Sequence, residues 1–156
     1  MKHSKKSQTA TEYTVILAVV LIIALIVVGV LGGIPAIGGA ARTRASSSYW
    51  QAADIGITAY SFDGDAVGGD DVLVIRNNQD DTITVNSISL EGSQIYSTAT
   101  VFSPGEEKTI NVNYDCGGNA GNRFTFSVEI NYTADETGAS YSFNGEGHKL
   151  EGMCSQ

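Results

Sequence analysis

Residues 5–33 read KKSQTATEYTVILAVVLIIALIVVGVLGG, and this stretch divides the chain into two unlike parts. Between Tyr13 and Leu31 it contains no charged residue, and no polar stripe recurs at the spacing of a helix. A helix that is apolar on every side must be buried on every side, in lipid or among other helices. About 20 such residues cross the roughly 30 Å hydrocarbon core of a bilayer. The sequence therefore predicts a long hydrophobic N-terminal helix that spans a membrane or lies in the core of an assembly.

The segment that follows this run contains residues that disturb a helix. Gly32 and Gly33 cost backbone entropy, and Pro35 lacks an amide hydrogen. We expect a kink at 32–39, after which the helix resumes and continues to residue 50. A flexible linker that begins at Gly32 is the alternative.

The lysines before the run indicate its orientation. Lys2, Lys5 and Lys6 precede it, and positively charged residues favour the cytoplasmic side of a membrane. We therefore expect a cytoplasmic N-terminus and an exported remainder. The run is longer than the apolar part of a cleaved secretory signal, although the small residues at 38–41 resemble a cleavage site for one.

Beyond residue 50 the chain becomes polar and acidic, and short alternating runs replace the continuous apolar one. Gly, Asn, Asp and Pro separate these runs, as turns separate the strands of an antiparallel sheet. About seven strands with this spacing are typical of a sandwich. In the run at 82–90 the alternation slips midway, which indicates either a bulge or an irregular strand. The candidate strands lie at 54–62, 72–77, 82–90, 95–102, 108–114, 123–133 and 139–145.

The charge of the chain argues against nucleic acid as a partner. Its 156 residues carry 17 acidic and 9 basic side chains, for a net charge of −8. Binding a phosphate backbone requires clustered Lys and Arg. Every carboxylate except that of Glu12 lies beyond residue 50, so we expect the acidity to belong to a surface that faces water.

Both cysteines, Cys116 and Cys154, lie in the polar part of the chain. An even number of cysteines in an exported chain indicates a disulfide, here one that ties the C-terminal end to an earlier loop. Two unpaired thiols are the alternative, because the sequence does not give the distance between the two Cα atoms.

Two other groups of residues are weaker candidates for sites. Asn131 begins a sequon for N-glycosylation, a pattern that also arises by chance. A glycine-rich turn gathers four carboxylates, which are suitable calcium ligands, but it lacks the spacing of an EF-hand loop. A solvated acidic turn is the alternative. The four carboxylates belong to Asp63, Asp65, Asp70 and Asp71.

The sequence offers no arrangement typical of catalysis. It contains no glycine loop for phosphate, no zinc-binding cluster and no hydrolase elbow. His3 and His148 stand apart from any nucleophile that they would activate. We therefore expect a protein that is not an enzyme and has no cofactor.

Residues 7–13, Ser-Gln-Thr-Ala-Thr-Glu-Tyr, lie between the lysines and the apolar run. This arrangement resembles the processing site of archaeal type IV pilin-like proteins, in particular the Gln-x-x-x-Glu-Tyr pattern of a class III prepilin signal peptide. The resemblance covers about residues 2–36. It implies that a prepilin peptidase on the cytoplasmic side cuts between Ser7 and Gln8.

The resemblance also implies three regions: a cleaved leader at 1–7, a hydrophobic helix at 8–50 and an outer domain at 51–156. The outer domain shares a general likeness with the outer domains of archaeal pilins and archaellins. The expected fold class is α+β: a long N-terminal hydrophobic helix, followed by an all-β antiparallel sandwich of the immunoglobulin or archaellin kind.

In this family a glutamate follows the processed N-terminus at the position that Glu12 would occupy, and Tyr13 comes next. A carboxylate beside hydrocarbon is unfavourable unless it is paired. In a filament, Glu12 of one subunit can meet the new terminal amine of Gln8 on its neighbour and so fix the axial register. If the terminal glutamine cyclises, Glu12 needs another partner, such as Thr9 of a neighbour. The alternative is an interfacial Glu12 that reaches the lipid headgroups.

We therefore expect a pilin, a structural subunit that polymerises with itself into an adhesive filament on the cell surface. The precursor would be inserted in the membrane, and its partners would be prepilin peptidase and the pilus assembly machinery. An archaellin, the subunit of a swimming filament, is the alternative within the same class, but archaellins usually lack the Gln-x-x-x-Glu-Tyr arrangement. From another class, the alternative is a membrane-anchored β-sandwich that binds a ligand and does not polymerise.

Overall fold

The computed structural model describes residues 5–31, 35–64 and 71–155. The chain forms two compact units, Met1–Ala41 and Arg42–Gln156. The second unit includes the last turns of the second helix, and the predicted regions at 1–7, 8–50 and 51–156 stay a prediction. We call the second of these units the strand unit.

Two helices form the N-terminal part of the chain. Helix α1 spans Lys5–Leu31, and helix α2 spans Pro35–Ala52. Proline suits the first position of a helix, because the amide hydrogen that it lacks would have no partner there. The predicted disturbance at 32–39 therefore corresponds to the end of α1 and the start of α2, and residues 32–34 lie outside the described part of the chain.

The sequence predicted one long hydrophobic helix that spans a membrane. Along the residues that the structure describes, neither helix combines the length and the hydropathy required to cross a membrane. The described residues therefore do not support the transmembrane prediction.

The strand unit is built mainly from ten strands among the described residues. Their side chains alternate between buried and exposed positions, most regularly in β2 and β7, as expected of strands with one side toward a core. The strands are β1 Ile55–Ser61, β2 Asp71–Asn77, β3 Ile83–Leu90, β4 Ser93–Tyr96, β5 Thr100–Phe102, β6 Glu107–Val112, β7 Arg123–Phe126, β8 Val128–Ala134, β9 Ala139–Phe143 and β10 Leu150–Met153, with a short 3-10 helix at Gly145–Gly147.

These strands form three sheets in which every pairing is antiparallel. The first sheet has the order β1-β2-β6, and the second pairs β7 with β10. The third has the order β4-β3-β8-β9, with β5 paired to the first part of β3 on the same side as β4. The strand-rich antiparallel part of the predicted fold class is thus confirmed.

The strand boundaries differ from the predicted ones at three places. The run at 95–102 contains the end of β4 and all of β5, and the run at 123–133 divides at Ser127 into β7 and β8. Strand β10 was not predicted. The slip in the alternation of β3 is confirmed, because its register with β8 shifts between Val85 and Ser87.

A two-residue turn of Glu91 and Gly92 joins β3 to β4. Both residues have positive φ, 49° and 80°, as in the turns whose twist suits a hairpin. The conformation is unusual for glutamate, and two hydrogen bonds to Ser127 hold it. The amide of Glu91 donates to the carbonyl oxygen of Ser127 at 2.9 Å, and the carboxylate of Glu91 accepts from the amide of Ser127.

One hydrophobic core joins the three sheets to the end of α2. Trp50 of α2 is fully buried, and its ring centroid lies 6.0 Å from that of Phe143 in an edge-on arrangement. Gly145 gives this ring its space, since a Cβ at that position would lie 2.5 Å from the Trp50 ring. Further core residues from the three sheets are Ile57, Leu73, Ile83, Phe124, Ile130 and Leu150.

Candidate assembly surface

The described large apolar side chains of α1 are exposed. Tyr13 is 69% exposed and Ile16 is 62% exposed, in contrast to the buried core of the strand unit. Because the exposed positions follow one another along the helix, they cover all of its sides rather than one stripe. We call them the apolar α1 surface: Tyr13, Val15, Ile16, Leu17, Val19, Val20, Leu21, Ile22, Ile23 and Ile26.

Contact of this surface with water is unfavourable. Burying a fully exposed Val, Leu or Ile side chain gains about 1.5–3 kcal/mol. The side chains of the apolar α1 surface are roughly half exposed, so covering all of them would gain on the order of 10 kcal/mol. Soluble monomers rarely expose apolar patches of this kind, which usually mark a site of interaction.

The residues predicted for processing and assembly all lie on α1. Glu12 is exposed and directly precedes the apolar α1 surface. Ser7 and Gln8 also lie within the helix, and their side chains are outside the described part of the structure. Residues 8 and 12 are four positions apart, which corresponds to about one turn of the helix.

The predicted disulfide between Cys116 and Cys154 is confirmed, with a Cα–Cα distance of 6.0 Å. It ties the C-terminal end of the chain to the loop that follows β6. Backbone hydrogen bonds support the link, because the amide of Cys116 donates to Asp63 at 3.1 Å and that of Cys154 donates to Asn122 at 2.8 Å. The strand unit therefore has a covalent closure that α1 lacks.

Of the four carboxylates considered for calcium, the structure describes those of Asp63 and Asp71. Asp71 is buried, and its two carboxylate oxygens accept from the amides of Asp63 and Tyr114, each at 2.8 Å. Asp71 thus holds two loop segments together. Asp65 and Asp70 lie outside the described residues, within which no group of three or more metal-ligating side chains is placed to hold an ion. The calcium site stays a prediction.

Asn131, the candidate for glycosylation, lies in the middle of β8 and is half-buried. Its side-chain amide donates to Ser87 at 3.3 Å and to Glu129 at 3.4 Å. The hydroxyl of Thr133, which completes the sequon, accepts from Asn86 at 2.9 Å. Both side chains thus belong to a polar network across the third sheet, and glycosylation stays a prediction.

His148 contacts α2 through its ring. It stacks on Tyr49 with 3.9 Å between ring centroids and an angle of 23° between the planes. Burial raises the pKa of Tyr49, and the nearby carboxylates of Glu146 and Asp54 raise it further. The contact packs an aromatic pair over the end of α2, next to Trp50.

One structural residue was missed by sequence reasoning. Asp71 was grouped with an acidic turn, yet it begins β2 and is buried. The apolar residues that alternate after Asp71 were the available signal, because they extend the strand back toward this position.

No protein-family model matches the chain, and no curated protein matches it. Among solved structures, the chain is similar to the archaeal flagellum of Methanospirillum hungatei, with 16% sequence identity over 94% of this chain and 93% of that chain. The TM-score of this comparison is 0.31, which does not establish a shared fold.

Proposed function

We propose that this protein is a pilin-like subunit of an extracellular filament, in which copies of α1 pack against one another. The observation that carries the proposal is the apolar α1 surface, which is exposed on all sides of the helix. Packing against helices of other copies would remove this surface from water. Contacts between unlike surfaces that do not close into a ring produce open helical polymers.

The position of Glu12 supports the same proposal. It is the single carboxylate before residue 50, and it stands where the apolar α1 surface begins. In the filament that we propose, a prepilin peptidase removes residues 1–7, and Glu12 pairs with the amine of Gln8 on a neighbouring subunit. This pairing would turn an unfavourable isolated charge into a determinant of register.

The strand unit would lie on the water-exposed side of such a filament. Nearly all of the acidic residues belong to it, and mutual repulsion between acidic surfaces keeps separate filaments apart in solution. Attachment to surfaces is the activity that we propose for the filament, as a pilus and not as an archaellum. The Gln-x-x-x-Glu-Tyr arrangement at 8–13 supports the pilus.

The N-terminal peptide of material sheared from the cell surface tests the proposal. Filaments are pelleted by centrifugation. One part of the pellet is inspected by electron microscopy, and another part is digested and examined by mass spectrometry. We expect an abundant peptide that begins at Gln8, in its free or cyclised form. An intact leader, with the protein found only in detergent-soluble membranes, would instead indicate a membrane-anchored module that does not polymerise.

A further inference from the structure

The third sheet ends in two strands that are paired on one side only. Strand β9 pairs with β8, and strand β4 pairs with β3; within the described residues, no further strand pairs with either of them. Such an edge presents unpaired amide and carbonyl groups to another chain. Proteins usually protect an edge of this kind with charged side chains, prolines or a covering segment.

Neither edge strand of the third sheet, β4 or β9, contains a charged residue. Residues 92–103 and 137–145 contain no Asp, Glu, Lys, Arg or Pro, although the chain has 17 acidic and 9 basic residues. The side chains that these strands expose are small or neutral, such as Ser93 and Gln94 of β4 and Ser142 of β9. The edge strand of the first sheet, β6, differs from them because it carries Glu107 and Lys108.

Strands β4 and β5 lie on the same side of β3, and charged side chains protect the β5 part of this edge. Lys108 donates from Nζ to the carbonyl oxygen of Val101 at 2.5 Å, and its Nζ lies 5.3 Å from the centroid of the Phe102 ring. Glu106 pairs with the same Nζ at 3.2 Å. Lys108 and Glu106 therefore cover β5, whereas β4 has no such charged side chain beside it among these contacts.

The directions of the strands decide which partner fits these edges. All pairings in the sheet are antiparallel, so β9 runs in the same direction as β3, while β4 runs in the opposite direction. A second copy with the same orientation, displaced along the sheet, therefore brings its β4 antiparallel to β9 of the first. The β9 strand of that second copy then stays open for a third.

We propose that β9 of one subunit pairs with β4 of the next, so that the third sheet continues from copy to copy along the filament. The inference rests on the filament proposed above and adds a contact between strand units to the packing of α1. Main-chain hydrogen bonds of an added strand hold the contact. Its location lets acidic strand units approach each other along two strands that contain no charged residue, although the carboxylate of Glu129 on β8 accepts from the hydroxyl of Ser142 at 3.1 Å.

Hydrogen exchange on the full-length protein tests the contact. Amide exchange is measured in sheared filaments and in single subunits dispersed in detergent, and β6 serves as the internal reference. We expect peptides that cover β4 and β9 to exchange at least about tenfold more slowly in filaments, because pairing protects alternate amides of each edge. Peptides that cover β6 should exchange alike in both samples.

The possible results separate this contact from the filament itself. Filaments in which neither β4 nor β9 gains protection would overturn the contact and leave the filament intact. Protection of β9 alone would overturn it in favour of β9 pairing with another β9. If the processed protein forms no filaments at all, the proposed function fails first, and the contact fails with it.

Single lysines at the edges give a second test with a matched control. Ser140→Lys on β9 and Gln94→Lys on β4 place a charge on exposed positions of the proposed contact, whereas Thr109→Lys places the same charge on exposed β6. We expect the two edge variants to lose the added protection or the assembly, and the β6 variant to behave as the natural protein. Edge variants that assemble with full protection would contradict the proposal.

Discussion

Helix α1 and the strand unit use their apolar residues in opposite ways. In the strand unit, alternating strands turn side chains such as Ile57 and Leu73 into a common core, and their exposure is 1% and 0%. In α1 the apolar residues are continuous, so no arrangement of a single helix can hide them. Ile22 of α1, for example, is 57% exposed.

The difference indicates where each region obtains its stability. The strand unit has its own core, a disulfide and hydrogen bonds such as those of Asp71, so its stability comes from contacts within one chain. The apolar side chains of α1 are exposed, and their burial against other copies, as proposed above, would supply favourable free energy. Changes in the two regions should therefore appear in different measurements.

The largest effect is expected from Glu12→Ala. Without the carboxylate, the proposed pairing with the neighbouring Gln8 amine is lost, so assembly should fail although the leader is still removed. The yield of sheared filaments measures assembly, and the mass of the N-terminal peptide measures processing. Glu107→Ala, which removes an exposed carboxylate from β6, is the control and should assemble normally. Normal filaments from Glu12→Ala would refute the role of Glu12 in register.

Replacing both cysteines by serine should destabilise the strand unit by about 4 kcal/mol. The disulfide closes a loop with a sequence separation of 38, and its removal restores chain entropy to the unfolded state. Chemical denaturation of the full-length protein, followed by the fluorescence of Trp50, measures the loss. The same denaturation in the presence of a reductant should give the natural protein a similar loss. An unchanged midpoint in the double variant would mean that the core alone sets the stability of this unit.

A matched pair of isoleucines sharpens the comparison between the regions. Ile57→Ala removes a buried side chain and should lower the free energy of unfolding of the strand unit by about 2–5 kcal/mol. Ile22→Ala removes an exposed one and should change that free energy by less than about 0.5 kcal/mol. The yield of filaments should fall for Ile22→Ala instead. If Ile22→Ala also destabilises the strand unit, the two regions are not independent.

The smallest effect is expected from Glu91→Gln and depends on pH. The backbone amide of Ser127 holds the pKa of Glu91 below its ordinary value of 4.5, with a smaller contribution from Lys149. Because the folded state lowers this pKa, the ionised carboxylate stabilises the fold above about pH 4.5, and this contribution is lost as the pH falls through the folded pKa.

Thermal unfolding at a series of pH values measures this dependence. Since a glutamine side chain does not ionise, the variant should lose less stability on acidification than the natural protein and be slightly less stable at neutral pH. Glu107→Gln is the control, with the carboxylate of Glu91 intact. Identical acid dependence of Glu91→Gln and the natural protein would show that the bond to Ser127 contributes little.

The parts of the fold that the sequence predicted are those decided by local patterns. The alternation at 72–77 and 82–90 corresponds to β2 and β3, and the register shift of β3 was visible as a slip in its alternation. The pairing of Cys116 with Cys154 followed from their number and the expected export of the chain. The continuous apolar run predicted a helix at this end of the chain, but the single long helix that was expected is divided into α1 and α2.

The features that were missed depend on contacts between distant residues. Strand β10 is too short to show a pattern, and it is a strand because it pairs with β7. The two carboxylate oxygens of Asp71 accept hydrogen bonds from amides that lie 8 and 43 residues away along the chain. A local sequence pattern does not predict such contacts.

Trp50 gives the protein a built-in optical probe. It is the single tryptophan of the chain, and it is fully buried beside Gly145 and Phe143. The wavelength of its emission therefore reports the docking of the end of α2 onto the strands, while α1 contributes no indole signal of its own. Folding of the strand unit can thus be followed in real time without attaching a dye, including during the assembly that we propose.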